Sequence, residues 1–313
     1  MGTPHFAAGV LSFLIGKGYL VKGVVTAPDR PAGRGLTLRT SAVKKLAIEH
    51  GLPILQPESL TDPLFLESLS QWQAPLFVVV AFRMLPYQVW QMPALGCFNL
   101  HASLLPQYRG AAPINHVLIN GEQETGLSTF LIDRQIDTGD LLLQEILSVE
   151  NTDNAGTLHN KLMEAGGPLV AKTIDGLWDG SLNPIPQSSV PVEQLKPAPK
   201  ITRETCRINW NHNPERIVNL IRGLSPIPCA FSTLGKNGEG PDIKICHARA
   251  EHTVCNAPPG TVVTDRKKVL KVACRQGYVH LLELQVPGKR RISSEAFLAG
   301  YREKGPLSFQ SSL

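Results

Sequence analysis

The sequence predicts an α/β protein: a doubly wound, mostly parallel, Rossmann-like sheet followed by a small C-terminal β-barrel of the OB type. Three observations carry this. Strand-like apolar runs alternate with helical patterns through the first part of the chain. One of them, PLFVVVAF (Pro75–Phe82), is apolar without alternation, as expected of a strand buried on both faces. Beyond a Pro-rich stretch, short strand candidates separated by turn signals replace this texture. The expected division is 1–182 for the α/β domain, 183–200 for a linker and 201–313 for the barrel.

Taken in order, Thr3 can cap a helix whose first position suits Pro4, and Phe6–Ile15 reads as that helix, closed by Gly16 and Gly18. A strand is expected ahead of such a cap, and none precedes it here. Tyr19–Thr26 is strand-like. Ala27–Arg39 is a loop holding Arg30, Arg34 and Arg39 among Gly and Pro, either a solvated surface or an anion contact. It contains neither GxGxxG nor GxxxxGK[ST]. Helices follow at 41–50, 62–72 and 85–90, with short strands at LPIL, 75–82 and 98–101. A helix near 114–120, two strands at 126–133 and 141–147 forming a hairpin or edge pair, and a long amphipathic helix at 157–178 complete the domain. The second domain offers a helix at 213–222, strands at 243–248, 260–263, 269–273 and 277–284, a basic turn Pro287–Arg291 and a last helix at 294–301.

The formal net charge of +5 is unevenly spread. From Lys200 onward there are 18 Lys and Arg against 9 Asp and Glu, so this part carries +9 and the remainder −4. A basic second half is compatible with a polyanion partner and equally with a solvated basic face. The six cysteines show no CxxC pairing, and no secretory signal precedes them, so reduced thiols in a cytoplasmic protein are expected. No apolar run approaches the ~20 residues of a membrane helix, and no metal site is expected. Nothing resembles a coiled coil, so a monomer is expected.

The chemistry concentrates between Phe98 and Leu141. Asn99 and His101 are two apart, so on a strand they share a face. An amide beside an imidazole makes a donor pair suited to a tetrahedral oxyanion. Asp137 precedes a Thr-Gly turn and could orient His101 or relay protons through water. No Ser or Cys sits in a nucleophile-elbow context, which favours direct attack by an amine over an acyl-enzyme. Each residue also has a plain structural reading: an Asn-x-His at a strand end, an Asp in a turn, and Arg109-Gly110 at the surface.

Jointly, GTPHFA, TAPDRPAGRG, NLHASLLPQYRGAAPI, IDTGD, KITRETCRINW and LQVPGKRRISSEAFLAGYR resemble the folate-dependent formyltransferases over nearly the whole chain. The resemblance is most specific to members that act on initiator methionyl-tRNA. It implies formyl transfer from 10-formyltetrahydrofolate to the α-amine of that tRNA. Asn99 and His101 would be the oxyanion-stabilising pair and Asp137 the proton-handling carboxylate. Ser103, Leu104, Leu105 and Pro106 would line the folate site, with Phe82 and Leu85 nearby. Arg34, Arg39, Lys289 and Arg290 would contact tRNA. The alternatives are formyl transfer to another amine and tRNA binding without catalysis. Two departures from the family pattern stand out. The family carries a strand of typically ~5–6 residues ahead of Gly-Thr-Pro; here either the true start lies upstream of Met1 or the strand is missing, and its loss would leave an apolar slot and unpaired backbone groups. Gln135 stands where a glycine is usual, which predicts a shifted loop with Asp137 still in register.

Overall fold

The computed structural model describes residues 1–32, 37–187, 191–235, 240–301 and 308–310. Two compact units result: 1–110 with 124–148 and 159–197, and 111–123 with 149–158 and 198–313.

In the first unit, α1 (His5–Gly16) buries Phe6, Ala7, Val10 and Leu14 on one side. Its N-cap is Pro4, with no side-chain cap, so Thr3 does not cap it. Only β1 (Val24–Val25) forms within the expected strand 19–26. Two short strands, β2 (Arg30–Ala32) and β3 (Thr37–Arg39), pair antiparallel in the cationic loop. Helix α2 (Ala42–Glu49) is capped by the Ser41 hydroxyl and is followed by β4 (Ile54–Leu55), parallel to β1. Asp62 caps α3 (Pro63–Gln71), which precedes β5 (Phe77–Val80). After α4 (Tyr87–Trp90) comes β6 (Cys97–His101).

The sheet continues from β5 through β6 to the hairpin of β7 (Glu124–Leu131) and β8 (Leu141–Ser148). The β5–β6 pair is parallel; β6–β7 and β7–β8 are antiparallel, as the expected edge pair requires. Thr129 and Thr173 hydroxyls, 2.9 Å apart, tie the sheet to the long helix at 155–178.

Between β1 and β5 the sheet is carried by two residues. Gly2 bridges Val80 in parallel and donates to Val25 O at 3.0 Å. Val80 N donates to Met1 O at 2.9 Å, and the Met1 ammonium donates to Val78 O at 2.6 Å. Alongside lies an apolar cavity of about 550 Å³ bordered by Leu14, Tyr19, Val24, Trp72, Phe77 and Val78. The cavity runs beside residues 19–23, which form no strand. Gly2 must be glycine, because a Cβ there would lie 2.5 Å from Ala7 Cβ and 2.7 Å from Val80 O.

The Pro-rich segment is bound to this unit over part of its length. Ile185 and Leu141 exchange backbone hydrogen bonds at 2.8 Å, and Tyr108 N donates to Lys196 O at 2.7 Å.

In the second unit, α5 (Pro113–Ile119) packs on α7 (Pro214–Leu224), whose cap is Asn213. Strands β9 (Ala230–Thr233), β10 (Asp242–Glu251), β11 (Val262–Thr264), β12 (Leu270–Cys274), β13 (Gly277–Gln285) and β14 (Arg291–Ser293) form one antiparallel sheet. Residues 308–310 close it: Phe309 N donates to Gly260 O and Gln310 N to Thr233 O, linking the two edges of the sheet. Trp210 fills the interior, fully buried, its indole N–H donating to Ser232 Oγ at 3.0 Å. The closing strand segments 230–233 and 291–293 were not expected, because each is short and follows a proline-rich or basic turn. Helix α8 (Ser294–Gly300), capped by Ser293, matches its expected span.

Candidate active site

Strand β6 delivers both central residues. Its register sets Asn99 opposite Val79 and Phe130, and His101 opposite Ser128. The period of two puts the amide and the imidazole on one face. His101 is 6% exposed and its Nε2 lies 2.8 Å from Tyr108 O. A carbonyl can only accept, so Nε2 carries a proton and Nδ1 is the edge that remains. That edge faces Asp137 Oδ2 at 3.7 Å, beyond a direct hydrogen bond and within reach of a shared third atom. Asn99 is half-buried, and no described side chain hydrogen-bonds its amide.

The loop carrying Asp137 is built from its own sequence. Asp133 accepts from Gln135 N at 2.8 Å and from the Thr138 hydroxyl at 2.9 Å. A Cβ on Gly139 would sit 1.7 Å from Leu131 O, so the loop turns against the end of β7 only with glycine there. Asp137 itself has φ 57°, a left-handed conformation that Asp tolerates better than most residues. Gln135 is exposed, so the side chain in place of the family's glycine is accommodated in solvent. Asp137 Oδ2 accepts from Gly110 N at 2.9 Å.

Two further side chains hold this loop. Gln187 Nε2 donates to Asp137 O at 2.9 Å and to Gly139 O at 2.8 Å. Its Oε1 accepts from Arg109 Nε at 3.1 Å and from Arg109 Nη2 at 2.5 Å. Gln187 lies in the segment read as a linker, and nothing local in the sequence marks it. Arg109, which carried only a surface reading, is part of the support.

The segment 103–106 follows β6 directly. Ser103 is buried and donates to Gln107 O at 2.7 Å. Leu105 is buried; its N–H donates to Ser128 Oγ at 3.0 Å and its carbonyl accepts from Gln144 Nε2 at 3.0 Å. Ser103 and Leu105 therefore fix the segment, while Leu104 and Pro106 remain part-exposed. Leu85 is buried in the core with Phe77 and Val89 and offers no surface to a ligand, which corrects its expected role; Phe82 is part-exposed. The exposed ring of Tyr87 lies 5.7 Å from the Arg134 guanidinium, next to the Asp137 loop.

In the cationic loop, Asp29 is anchored by Lys44 Nζ at 2.5 Å and by Gln56 at 3.1 Å, and these hydrogen bonds, Lys44's first, hold its carboxyl below the usual range. Arg39 is exposed, and Arg34 lies outside the described residues. Lys289 and Arg290 are exposed on the turn before β14 in the second unit. Among the described residues there is no group of three or more potential metal ligands, and no helix is long and apolar enough to cross a membrane.

The comparisons with known proteins meet this geometry directly. Residues 2–174 match the formyl transferase family and residues 200–302 its C-terminal domain. The chain belongs to the formyl transferase family. The methionyl-tRNA formyltransferase of Bacteroides fragilis is 50% identical over 303 residues, covering 96% of this chain and 94% of that one. That of Flavobacterium johnsoniae is 45% identical over 300 residues, with the same coverage of 96% and 94%. Among solved structures, the sugar 3N-formyl transferase WlaRD, in the presence of dTDP and 5-N-formyl-THF, covers 92% of this chain and 97% of its own at TM-score 0.65. At 18% identity that likeness establishes the shared fold. In this formyl transferase the Asn99 amide and His101 imidazole lie on β6 and the Asp137 carboxylate on the loop after β7, 3.7 Å from the imidazole.

Proposed function

We propose that this chain transfers a formyl group from 10-formyltetrahydrofolate to the α-amine of initiator methionyl-tRNA, for translation initiation. The observation that carries the reading is the juxtaposition of Asn99, His101 and Asp137 in a chain half-identical to methionyl-tRNA formyltransferase over nearly its full length.

The neutral amine attacks the formyl carbon, and the carbonyl oxygen becomes an oxyanion. The Asn99 amide donates to it. With Nε2–H committed to Tyr108 O, His101 contributes through Nδ1, as a donor when protonated. Asp137, held by Gly110 N, accepts the amine proton through a bridging water and passes it toward the leaving nitrogen. The C–N bond to the donor then breaks, and the acceptor leaves as a formamide. Leu104 and Pro106 supply the apolar wall for the folate, with their backbone set by Ser128 and Gln144. Domain roles follow the sequence division: 1–182 for chemistry, 183–200 as a connecting segment, and 201–313 for holding tRNA. Arg34, Arg39, Lys289 and Arg290 contact the tRNA backbone, where phosphate neutralisation dominates affinity. The enzyme acts as a monomer in the cytoplasm and needs no metal.

The test presents purified protein and 10-formyltetrahydrofolate with charged initiator tRNA, charged elongator tRNA and an amino-sugar nucleotide. The expected result is formyl-methionine on initiator tRNA and little product elsewhere. Formylation of the amino sugar in preference to the tRNA would overturn the acceptor assignment. Tight tRNA binding without product would leave a binding protein.

A further inference from the structure

Outside the active site, the most unusual chemical grouping is a pair of thiols in the second unit. Strands β9 and β10 run antiparallel with Ile245 opposite Ala230. Cys229 immediately precedes β9, with φ 67°, and Cys246 follows Ile245 on β10. Their sulfurs are 3.1 Å apart, and both residues are buried, at 2% and 4% exposed. Cys246 falls at a bulge between β10 and β13 and has no partner on β13.

The surroundings are polarised. Cys229 Sγ lies 3.0 Å from Pro226 O, to which its S–H donates while protonated, and Arg291 Nη2 lies 3.5 Å from the same sulfur and also donates to Pro226 O. The hydrogen bond from Cys246, followed by the charges of Arg291 and Lys244, pulls the Cys229 thiol down to about 7. The same hydrogen bond and burial push Cys246 up, so the pair has one thiolate-prone and one proton-retaining sulfur. The other buried thiols differ: burial raises Cys97 and Cys274 to about 12 and raises Cys206. Cys255 is part-exposed, with its sulfur 3.7 Å from Ala257 O and hydrogen-bonded to Tyr278. Packing alone does not call for two sulfurs in contact beside a guanidinium; an apolar residue at either position would fill the space.

We propose that Cys229 and Cys246 form a site of reversible thiol oxidation, at which a small hydroperoxide converts them to an intrachain disulfide. The Cys229 thiolate attacks one peroxide oxygen, breaking the O–O bond and releasing hydroxide, which takes a proton to become water. Cys246 sulfur then attacks the resulting sulfenic sulfur, loses its proton, and releases a second water as the S–S bond forms. Two electrons leave the sulfurs and reduce the peroxide. Arg291, at the start of β14 beside the basic turn, thereby changes from facing a thiolate to facing a neutral disulfide.

The experiment exposes the full chain to graded hydrogen peroxide, stops the reaction with catalase, and unfolds and alkylates the protein for mass analysis. The expected result is loss of two of the six alkylatable thiols before Cys255 reacts, with one cross-link joining the Cys229 and Cys246 peptides. Dithiothreitol should restore all six. In Cys246→Ala the cross-link disappears, and dimedone traps sulfenic acid at Cys229. Oxidation of Cys255 while both thiols of the pair remain alkylatable overturns the proposal, as does a cross-link between any other two cysteines. The wild-type peptide map decides the question even if the variant fails to fold.

Discussion

The two sides of the first unit's sheet differ in how they are held. From β5 to β8, four strands pair side by side, with one register shift at Thr129/Phe130. From β1 to β5, continuity rests on Met1 and Gly2, beside an apolar cavity of about 550 Å³. The candidate site lies on the four-stranded side. The difference teaches that catalysis and stability are separable here: changes around Met1 should move the melting point, and changes around Asp137 should move the rate.

The largest expected stability effect that sharpens this contrast is Gly2→Val. The added side chain meets Ala7 and the Val80 carbonyl, and overpacking of this kind costs typically ~1–3 kcal/mol or more. Thermal unfolding should show a drop of several degrees, roughly 2–4 °C per kcal/mol, while kcat/KM of the folded protein stays unchanged. A comparable fall in kcat/KM would break the separation.

The smallest expected effect lies on the catalytic side. Gln187→Ala removes the two hydrogen bonds that hold the Asp137 loop and the two by which Arg109 holds Gln187. Misplacement of a proton acceptor without its removal should lower kcat by about tenfold with little change in KM. An unaltered rate would mean the loop is held without Gln187.

How much of this was legible in the sequence depends on whether the signal is local. The helices at 41–50, 62–72, 213–222 and 294–301 and the strand β6 follow from adjacent residues, so they emerge from pattern alone, whereas the one cap read there, Thr3, does not form. Asn99, His101 and Asp137 were legible because two share a strand face and the third marks a turn. Gln187 was not, because its role depends on a contact 50 residues away in sequence with Asp137 O. The committed hydrogen bond of His101 to Tyr108 O was equally hidden, although it decides which ring nitrogen faces the reaction. Strand 19–26 was over-read because propensity describes a segment, whereas a ladder needs a neighbour. The closure of the barrel by residues 308–310 is likewise a long-range pairing with residues near 233 and 260.

The central claim is that the Asp137 carboxylate handles the proton in formyl transfer. It is tested most directly by single-turnover formylation of methionyl initiator tRNA with wild type and Asp137→Asn. Asn keeps an oxygen to accept from Gly110 N and tolerates the left-handed backbone, so the fold should be retained. The account predicts a rate at least about 100-fold slower with an unchanged melting temperature. A wild-type rate in the folded variant would contradict it.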